Sequence, residues 1–513
     1  MYTMKNKKRS IFSVVAILLV LSVVLSGFLP TDIFSQSFAE TNNTFNGEAP
    51  KYIFLFIGDG MSFPQISAAE MYLGAQKHTA TPEIKALDFT NFPATGVAAT
   101  YDSDSFIPDS ASTGTSIASG IKTGNGIINM DPQKKANVDP ITRDLKDMGY
   151  KIGVVSNVPI NHATPAVFYA NQESRNNYYE IALQLAESDF DYFAGGGIND
   201  AEGKNSKITN SENVIDIAKK NGFKVVSTKE EILALNNTSG KVLATSPRLQ
   251  DSNAMPYEMD RKAGELSLSD FVRKGIDVLD NPKGYFMMVE SGKIDWANHA
   301  NDAAASIHDT IEFNNAIMEA YKVYEKYPND TLIIVTGDHE CGGLTIGFAG
   351  TAYDTFFNKL EKQTMSYVEF DNILSEYKKV TAPEKETLED ILPKIKSAFG
   401  LMTATDEDAK KMPELVLTAA EEARLRDALK RSMQKKEDRD FSDQEKILYG
   451  TYEPLSVTLT HILNNKAGLA FTTYSHTGLP VPVYAVGVGQ ELFIGSYDNT
   501  DIYKKMASIM NIQ

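Results

Sequence analysis

The sequence predicts an α/β fold: three layers, α/β/α, on a largely parallel central sheet, with a helical insertion between late strands. Three observations predict it. Short apolar runs recur along the chain and suit strands buried on both faces. Helical patterns separate these runs, the order that builds a parallel sheet. From about residue 351 to 450 the chain turns to Lys and Glu, with Leu425, Ala428 and Leu429 at i, i+3 and i+4, so this stretch reads as a helical cap inserted in the 47–513 domain. With 513 residues, 42% of them hydrophobic, there is ample material for a large core.

The chain opens with Lys5, Lys7, Lys8 and Arg9, then a nearly continuous apolar run from Ile11 to Leu29, then the small residues of Ser37-Phe38-Ala39. This reads as an export signal over residues 1–39, cleaved after Ala39. The run is long for a signal, so an uncleaved membrane anchor is the alternative, and membrane contact is expected only through it. No Cys follows the run, so a lipid-anchored form is unsupported. The expected location is outside the cytoplasm: extracellular, periplasmic or at the cell surface.

Lys51 to Ile57 (KYIFLFI) is the first buried strand, and Gly58-Asp59-Gly60 closes it. An acid flanked by glycines there lies at the carboxyl edge of a sheet, where α/β proteins bind ligands. Met61 to Leu73 reads as a helix. Thr95 to Tyr101 is strand-like and leads to Asp109-Ser110-Ala111-Ser112, the small-residue entry to another helix. Two readings of Ser110 stand here. It caps the helix, or it is a nucleophile toward a phosphate held by the free N–H groups of the first turn.

Tyr150 to Asn157 is the next strand and runs into His162-Ala163-Thr164-Pro165-Ala166, with Arg175 soon after. Asp191 to Ala194 is a short strand, and the glycines 195–197 after it read as a turn. Residues 200–282 hold mixed helices and short strands without a chemical motif. Tyr285 to Val289 is strand-like and ends in Glu290, followed by Asp295, Trp296 and His299. A helix is expected from Ala303 to Tyr324. Thr331 to Thr336 is another buried strand, ending in Gly337-Asp338-His339-Glu340. Strand patterns return at Leu469 to Thr473 and at Val481 to Val486, with His476-Thr477-Gly478 between them.

The net charge of −17 argues against nucleic-acid binding. Cys341 is alone, so the chain holds no internal disulfide, and the residue reads as a small packed side chain.

The strand ends form a pattern. Asp59, Glu290 and Asp338 each follow an apolar run at once, and four of the seven histidines (His162, His299, His339 and His476) stand in the loops beyond. Imidazole with carboxylate is a zinc ligand set, while hydroxyl and carboxylate oxygens suit magnesium. Asp295 and His299 are one helical turn apart and can face one ion. Carboxylates gathered at one sheet edge repel unless cations offset them. Such a site suits phosphate esters, whose hydrolysis enzymes accelerate by up to ~10²¹-fold. Other serine chemistries fail: Ser110 lacks the flanking glycines of a nucleophile elbow, and no His follows His339-Glu340 at Gly343.

At these residues the sequence resembles the bacterial alkaline phosphatases. The motifs match in order: Ile57-Gly58-Asp59-Gly60-Met61, Asp109-Ser110-Ala111, His162-Ala163-Thr164-Pro165-Ala166 with Arg175, Glu290 with Asp295 and His299, and Asp338-His339 with His476-Thr477-Gly478. The resemblance implies the following roles. Ser110 is the nucleophile and forms a phosphoserine. Asp295, His299 and His476 hold a first zinc, and Asp338, His339 and Asp59 a second. Asp59, Thr164 and Glu290 hold one magnesium, and Arg175 holds the phosphate. It also implies phosphate monoesters as substrates and a homodimer. His162 stands where the enterobacterial pattern has Asp, and Trp296 where it has Lys. Both are expected just outside the metal ligands, with His162 an alternative ligand.

A diesterase, a sulfatase and a non-enzymatic phosphate-binding protein are the rivals. No C/S-x-P-x-R motif follows at Ser110, a diesterase usually carries Thr as its nucleophile, and simple phosphate binding requires no such set of metal ligands.

Overall fold

The computed structural model describes Phe45 and residues 47–512, apart from residues 80 and 384. The segment read as an export signal lies outside the described residues. Among the described residues no helix is long and apolar enough to cross a membrane.

The strands are β1 (Tyr52–Gly58), β2 (Ala94–Ala99), β3 (Lys151–Ser156), β4 (Tyr192–Gly195), β5 (Lys224–Val226), β6 (Val242–Thr245), β7 (Tyr285–Ser291), β8 (Thr331–Gly337), β9 (Glu340–Cys341), β10 (Thr345–Ile346), β11 (Leu469–Ala470), β12 (His476–Thr477), β13 (Val481–Gly487) and β14 (Gly495–Asp498). Ten of them form one sheet in the order β14-β2-β13-β8-β1-β7-β3-β4-β6-β5. Every pairing is parallel except those of β13, which runs against both β2 and β8.

Side chains alternate across a strand, and both faces of this sheet are covered. Phe54 and Phe56 of β1 pack with Ile333 and Val335 of β8, under helices Phe63–Ala75, Leu268–Leu279 and Ala303–Lys326. Ile53, Leu55 and Ile57 point the other way, to helices Ser110–Ser119, Ile141–Asp147, Tyr178–Glu187 and Thr500–Met510. This is the expected three-layer α/β/α arrangement. The Lys- and Glu-rich stretch carries helices Tyr367–Val380, Leu388–Phe399, Ala419–Ser432 and Asp443–Tyr449, and helix Pro454–Ala467 follows. Leu425, Ala428 and Leu429 are buried, and these helices extend the first face's core.

Strand β14 was not read in the sequence, and two elements that were read differ from the reading. The first helix starts at Phe63, because Ser62 and Gln65 form a capping box there. The strand expected over Leu469 to Thr473 stops at Ala470. The Thr472 and Thr473 N–H groups both donate to the Gly342 carbonyl, at 3.0 and 3.2 Å, which turns the chain out of the ladder.

The topology places the strand-end residues together. Gly58 of β1 is in register with Ser291 of β7 and Gly337 of β8, and Ser156 of β3 with Glu290. The carboxyl ends of four adjacent strands thus share one edge. Because β13 is antiparallel, its first residue lies at that edge too and delivers the preceding His476.

Candidate active site

Ser110 opens helix Ser110–Ser119, and Asp109 is its N-cap: Asp109 Oδ1 accepts from Ser112 N at 3.0 Å. The cap therefore falls on the residue before Ser110 and leaves the serine hydroxyl to other contacts. Ser110 Oγ lies 3.2 Å from His339 Nε2 and 3.4 Å from Asp59 Oδ1. Asp109 Oδ2 accepts from Gly126 N at 3.0 Å and from Arg175 Nη1 at 2.9 Å. Burial opposes ionisation of Asp109, but Arg175 and the two backbone N–H donors hold its carboxyl below the usual range. One carboxylate thus ties the helix end to the arginine.

Gly60 shows how close the packing is. Its φ of +70° is a left-handed turn, and a Cβ there would lie 2.8 Å from the Asp295 Cα. Only glycine lets the loop after β1 meet helix Lys293–His299.

That helix carries Asp295 and His299 on one face, as their spacing predicts. Asp295 Oδ2 is 3.3 Å from His299 Nε2, and Oδ1 is 3.5 Å from His476 Nε2. His299 Nδ1 donates to the Tyr474 carbonyl at 2.6 Å and His476 Nδ1 to the Pro108 carbonyl at 2.7 Å. A carbonyl only accepts, so each ring carries its proton on Nδ1 and presents Nε2 inward. The two Nε2 atoms stand 3.1 Å apart beside a carboxylate. Nitrogens at that distance call for a cation, either a proton on one ring or a metal ion between them.

A second set adjoins the first. His339 Nε2 is 3.3 Å from both Asp59 Oδ1 and Asp338 Oδ2. Possible ligand atoms of Asp59, Asp295 and His339 lie within 4.8 Å of one another. A third group joins Asp59, Glu290 and His162, and the Thr164 hydroxyl donates to Asp59 Oδ2 at 3.3 Å. Ser156 donates to Glu290 Oε2. The other Glu290 oxygen, Asp295 Oδ1 and His339 Nδ1 are buried without a hydrogen-bond partner.

Burial dominates the electrostatics. It pushes Asp59 well above the ordinary carboxylate range, with Asp338 next in effect. Burial and then the charge of Asp295 raise Asp338 to about 8, and burial raises Glu290 to about 7. Burial works against Asp295 too, but His299 holds it well below the usual range, and Asp295 in turn overcomes burial to lift His299 to about 9. Bound cations are the means by which such a cluster of acids ionises together. Orphaned buried oxygens, inward imidazoles and a Thr hydroxyl fit zinc at the first two sets and magnesium at the third.

His162 and Trp296 meet edge to face, with ring centroids 5.8 Å apart. Arg175 Nη2 lies 3.2 Å from His162 Nε2 and can only donate, so this ring also carries its proton on Nδ1. Burial, and then Arg175, lowers His162 to about 3, so the ring is neutral. Its Nδ1–H is buried without a hydrogen-bond partner, and the ring stands beside Asp59 and Glu290.

The structure thus brings together every residue that the sequence singled out. A cleft of about 450 Å³ opens over Ser110, Arg175 and the first donor set. Its walls include Asp251, Ser252, Tyr367 and Tyr452, which no motif marked. Ser156 was also missed, although it ends β3 in register with Glu290 of β7.

Fold and site together define a phosphoric monoester hydrolase. The sequence model of the alkaline phosphatase family matches residues 50–512, and the chain belongs to that family. It is 30% identical to alkaline phosphatase 4 of Bacillus subtilis over 458 residues, covering 88% of this chain and 86% of the relative. The cold-active alkaline phosphatase of Shewanella sp. is similar in structure, with TM-score 0.70 and 27% identity, over 90% of this chain and 100% of that one. A histidine-to-aspartate variant of the enzyme from the Antarctic bacterium TAB5, with Mg bound in its M3 site, has TM-score 0.58 and 25% identity, over 90% of this chain and 99% of that one.

Proposed function

We propose that this chain is an exported, metal-dependent alkaline phosphatase that hydrolyses phosphate monoesters through a phosphoserine on Ser110. Two zinc ions belong at Asp295/His299/His476 and Asp59/Asp338/His339, and one magnesium at Asp59/Thr164/Glu290. The carrying observation is the placement of Ser110 Oγ at a helix end, 3.2 Å from His339 Nε2 and 3.4 Å from Asp59 Oδ1, in the cleft that Arg175 shares.

Ser110 Oγ attacks phosphorus in line with the leaving oxygen; the new O–P bond forms as the ester O–P bond breaks and the alcohol departs. Water then attacks the phosphoserine from the vacated side and returns the serine hydroxyl with inorganic phosphate. Arg175 grips phosphoryl oxygens with the donors it does not spend on Asp109 and His162. Asp109 keeps that fork and the helix end in one frame. When bound, zinc lowers the pKa of a ligated hydroxyl or water from the ~15.7 of bulk water toward about 7, and magnesium offsets the carboxylate charge.

Hydrolysis of an aryl phosphate at alkaline pH, with zinc and magnesium supplied, tests the reading. Ser110→Ala removes nearly all turnover and leaves the metals bound, and acid quenching of the wild type traps phosphate on the peptide carrying Ser110. Full activity in Ser110→Ala refutes the mechanism. Export rests on the N-terminal sequence and is tested by cell fractionation. The homodimer rests on the family resemblance and is tested by sedimentation.

A further inference from the structure

Cys341 occupies a place in this site that the proposed mechanism leaves unused. It ends β9, which pairs with β12 so that Cys341 stands directly opposite His476. Side chains of directly opposed residues in an antiparallel pair project to the same face. The thiol therefore lies beside the imidazole, fully buried, with Sγ 3.7 Å from the Asp295 carbonyl. Possible ligand atoms of Asp295, His299, Cys341 and His476 all lie within 4.8 Å of one another. A second observation points into the same spot: Asp295 Oδ1 is buried there without a hydrogen-bond partner. The backbone holds the thiol in place, because Gly342 turns at a φ of +83° and its N–H donates to the Ser475 carbonyl at 2.9 Å.

We propose that Cys341 is a fourth protein ligand to the zinc at Asp295, His299 and His476. The inference rests on the zinc reading of that donor set. Sulfur is a preferred zinc donor beside imidazole, and thiolate selects zinc over magnesium. On binding, the S–H bond breaks, the S–Zn bond forms and the proton leaves to solvent. An Asp/His/His set keeps one position open for chemistry, and a thiolate added to it makes the ion five-coordinate when water or substrate takes that position. Cys341 thereby holds the ion between turnovers and sets how readily it is lost.

X-ray absorption at the zinc edge of the loaded wild-type protein tests this directly, with metal counted on the same sample. The expected result is one sulfur neighbour per chain at ~2.3 Å, about half a sulfur per zinc averaged over the two ions, in addition to nitrogen and oxygen neighbours at ~2.0–2.1 Å. Cys341→Ala loses the sulfur neighbour, still binds zinc, and releases it to a chelator at least ~10-fold faster, a loss no smaller than that of an outer-shell partner. Cys341→Ser serves as the near-isosteric check on folding and is expected to release zinc faster than the wild type as well. Two zinc ions per chain with nitrogen and oxygen neighbours only overturn the thiolate ligand and spare the zinc reading. A protein that takes up no zinc overturns both.

Discussion

Arg175→Lys keeps a positive charge in the cleft but removes the fork. A guanidinium has five N–H donors in a fixed plane. Nη1 gives one to Asp109 Oδ2 at 2.9 Å and Nη2 gives one to His162 Nε2 at 3.2 Å. The donors left over suffice for a two-point hold on phosphoryl oxygens. An ammonium carries its three donors on one nitrogen; with one on Asp109, the two left diverge and cannot make the parallel pair that the fork makes. The variant therefore loses at least one charge-assisted hydrogen bond to phosphate, worth ~1.5–3 kcal/mol, or ~10- to 150-fold in affinity. Trp296 is the single tryptophan and lines this cleft, so its fluorescence reports occupancy. Titrating inorganic phosphate into the metal-loaded wild type and variant gives the two Kd values. The Kd rises within that range, and kcat/KM for an aryl phosphate falls by a similar factor. A Kd within about 3-fold of the wild type, less than one such bond supplies, refutes the reasoning.

Lys293 is wholly buried, with Nζ 2.6 Å from Asp251 and 3.6 Å above the Tyr257 ring. Asp251→Asn leaves the buried Lys293 ammonium without that partner and lowers stability by about 3 kcal/mol, read as a shifted denaturation midpoint; an unchanged midpoint counts against the pair. Asp302 is buried, which raises its carboxyl to about 6 although Ala305 N, Gln363 Nε2 and Tyr367 N all donate to it. The folded state thus holds this proton longer than the unfolded chain, so the stability this group contributes is full below pH ~4 and is lost as pH rises toward about 6. Asp302→Asn lacks that slope, so wild-type stability minus variant stability shrinks between those pH values, and a widening gap contradicts the sign. Tyr452 lines the cleft and packs edge-on against Tyr367 at 5.8 Å. Tyr452→Ala raises KM for an aryl phosphate ~2- to 10-fold relative to glycerol phosphate; equal effects on both substrates rule out an aromatic leaving-group contact.

Seven strands of the large sheet were legible because each is a short apolar run, as a sheet covered on both faces favours; β5, β6 and β14, three or four residues long, were not placed. Three of those runs end at an acid, so the sheet's edge could be read before its strand order was known. The order itself was not legible. That β13 runs antiparallel and carries His476 to the same edge depends on a hydrogen-bond ladder, and the apolar pattern of Val481 to Val486 is the same in either direction. The cleft walls were hidden for another reason. Tyr367 and Tyr452 sit in or just after a stretch whose charged residues mark it as surface, and only the packing of the cap helices on the first core face brings them over Ser110.

Ser110 shows why two sequence readings need not exclude each other. A helix start has a fixed supply of free N–H groups, and a cap consumes some of them. Here the Asp109 side chain takes the Ser112 N–H at 3.0 Å, and its carbonyl takes that of Thr113 at 3.1 Å. Helix geometry leaves the N–H groups of Ser110 and Ala111 without an intrahelical partner, at the end where the dipole favours an anion. The same carboxylate also fixes Arg175. A cap that used the serine hydroxyl itself would have spent the one oxygen that can attack. By placing the cap one residue earlier, the chain gives the helix end an anchor, the arginine a frame and the hydroxyl its freedom, all from the Asp109-Ser110 pair.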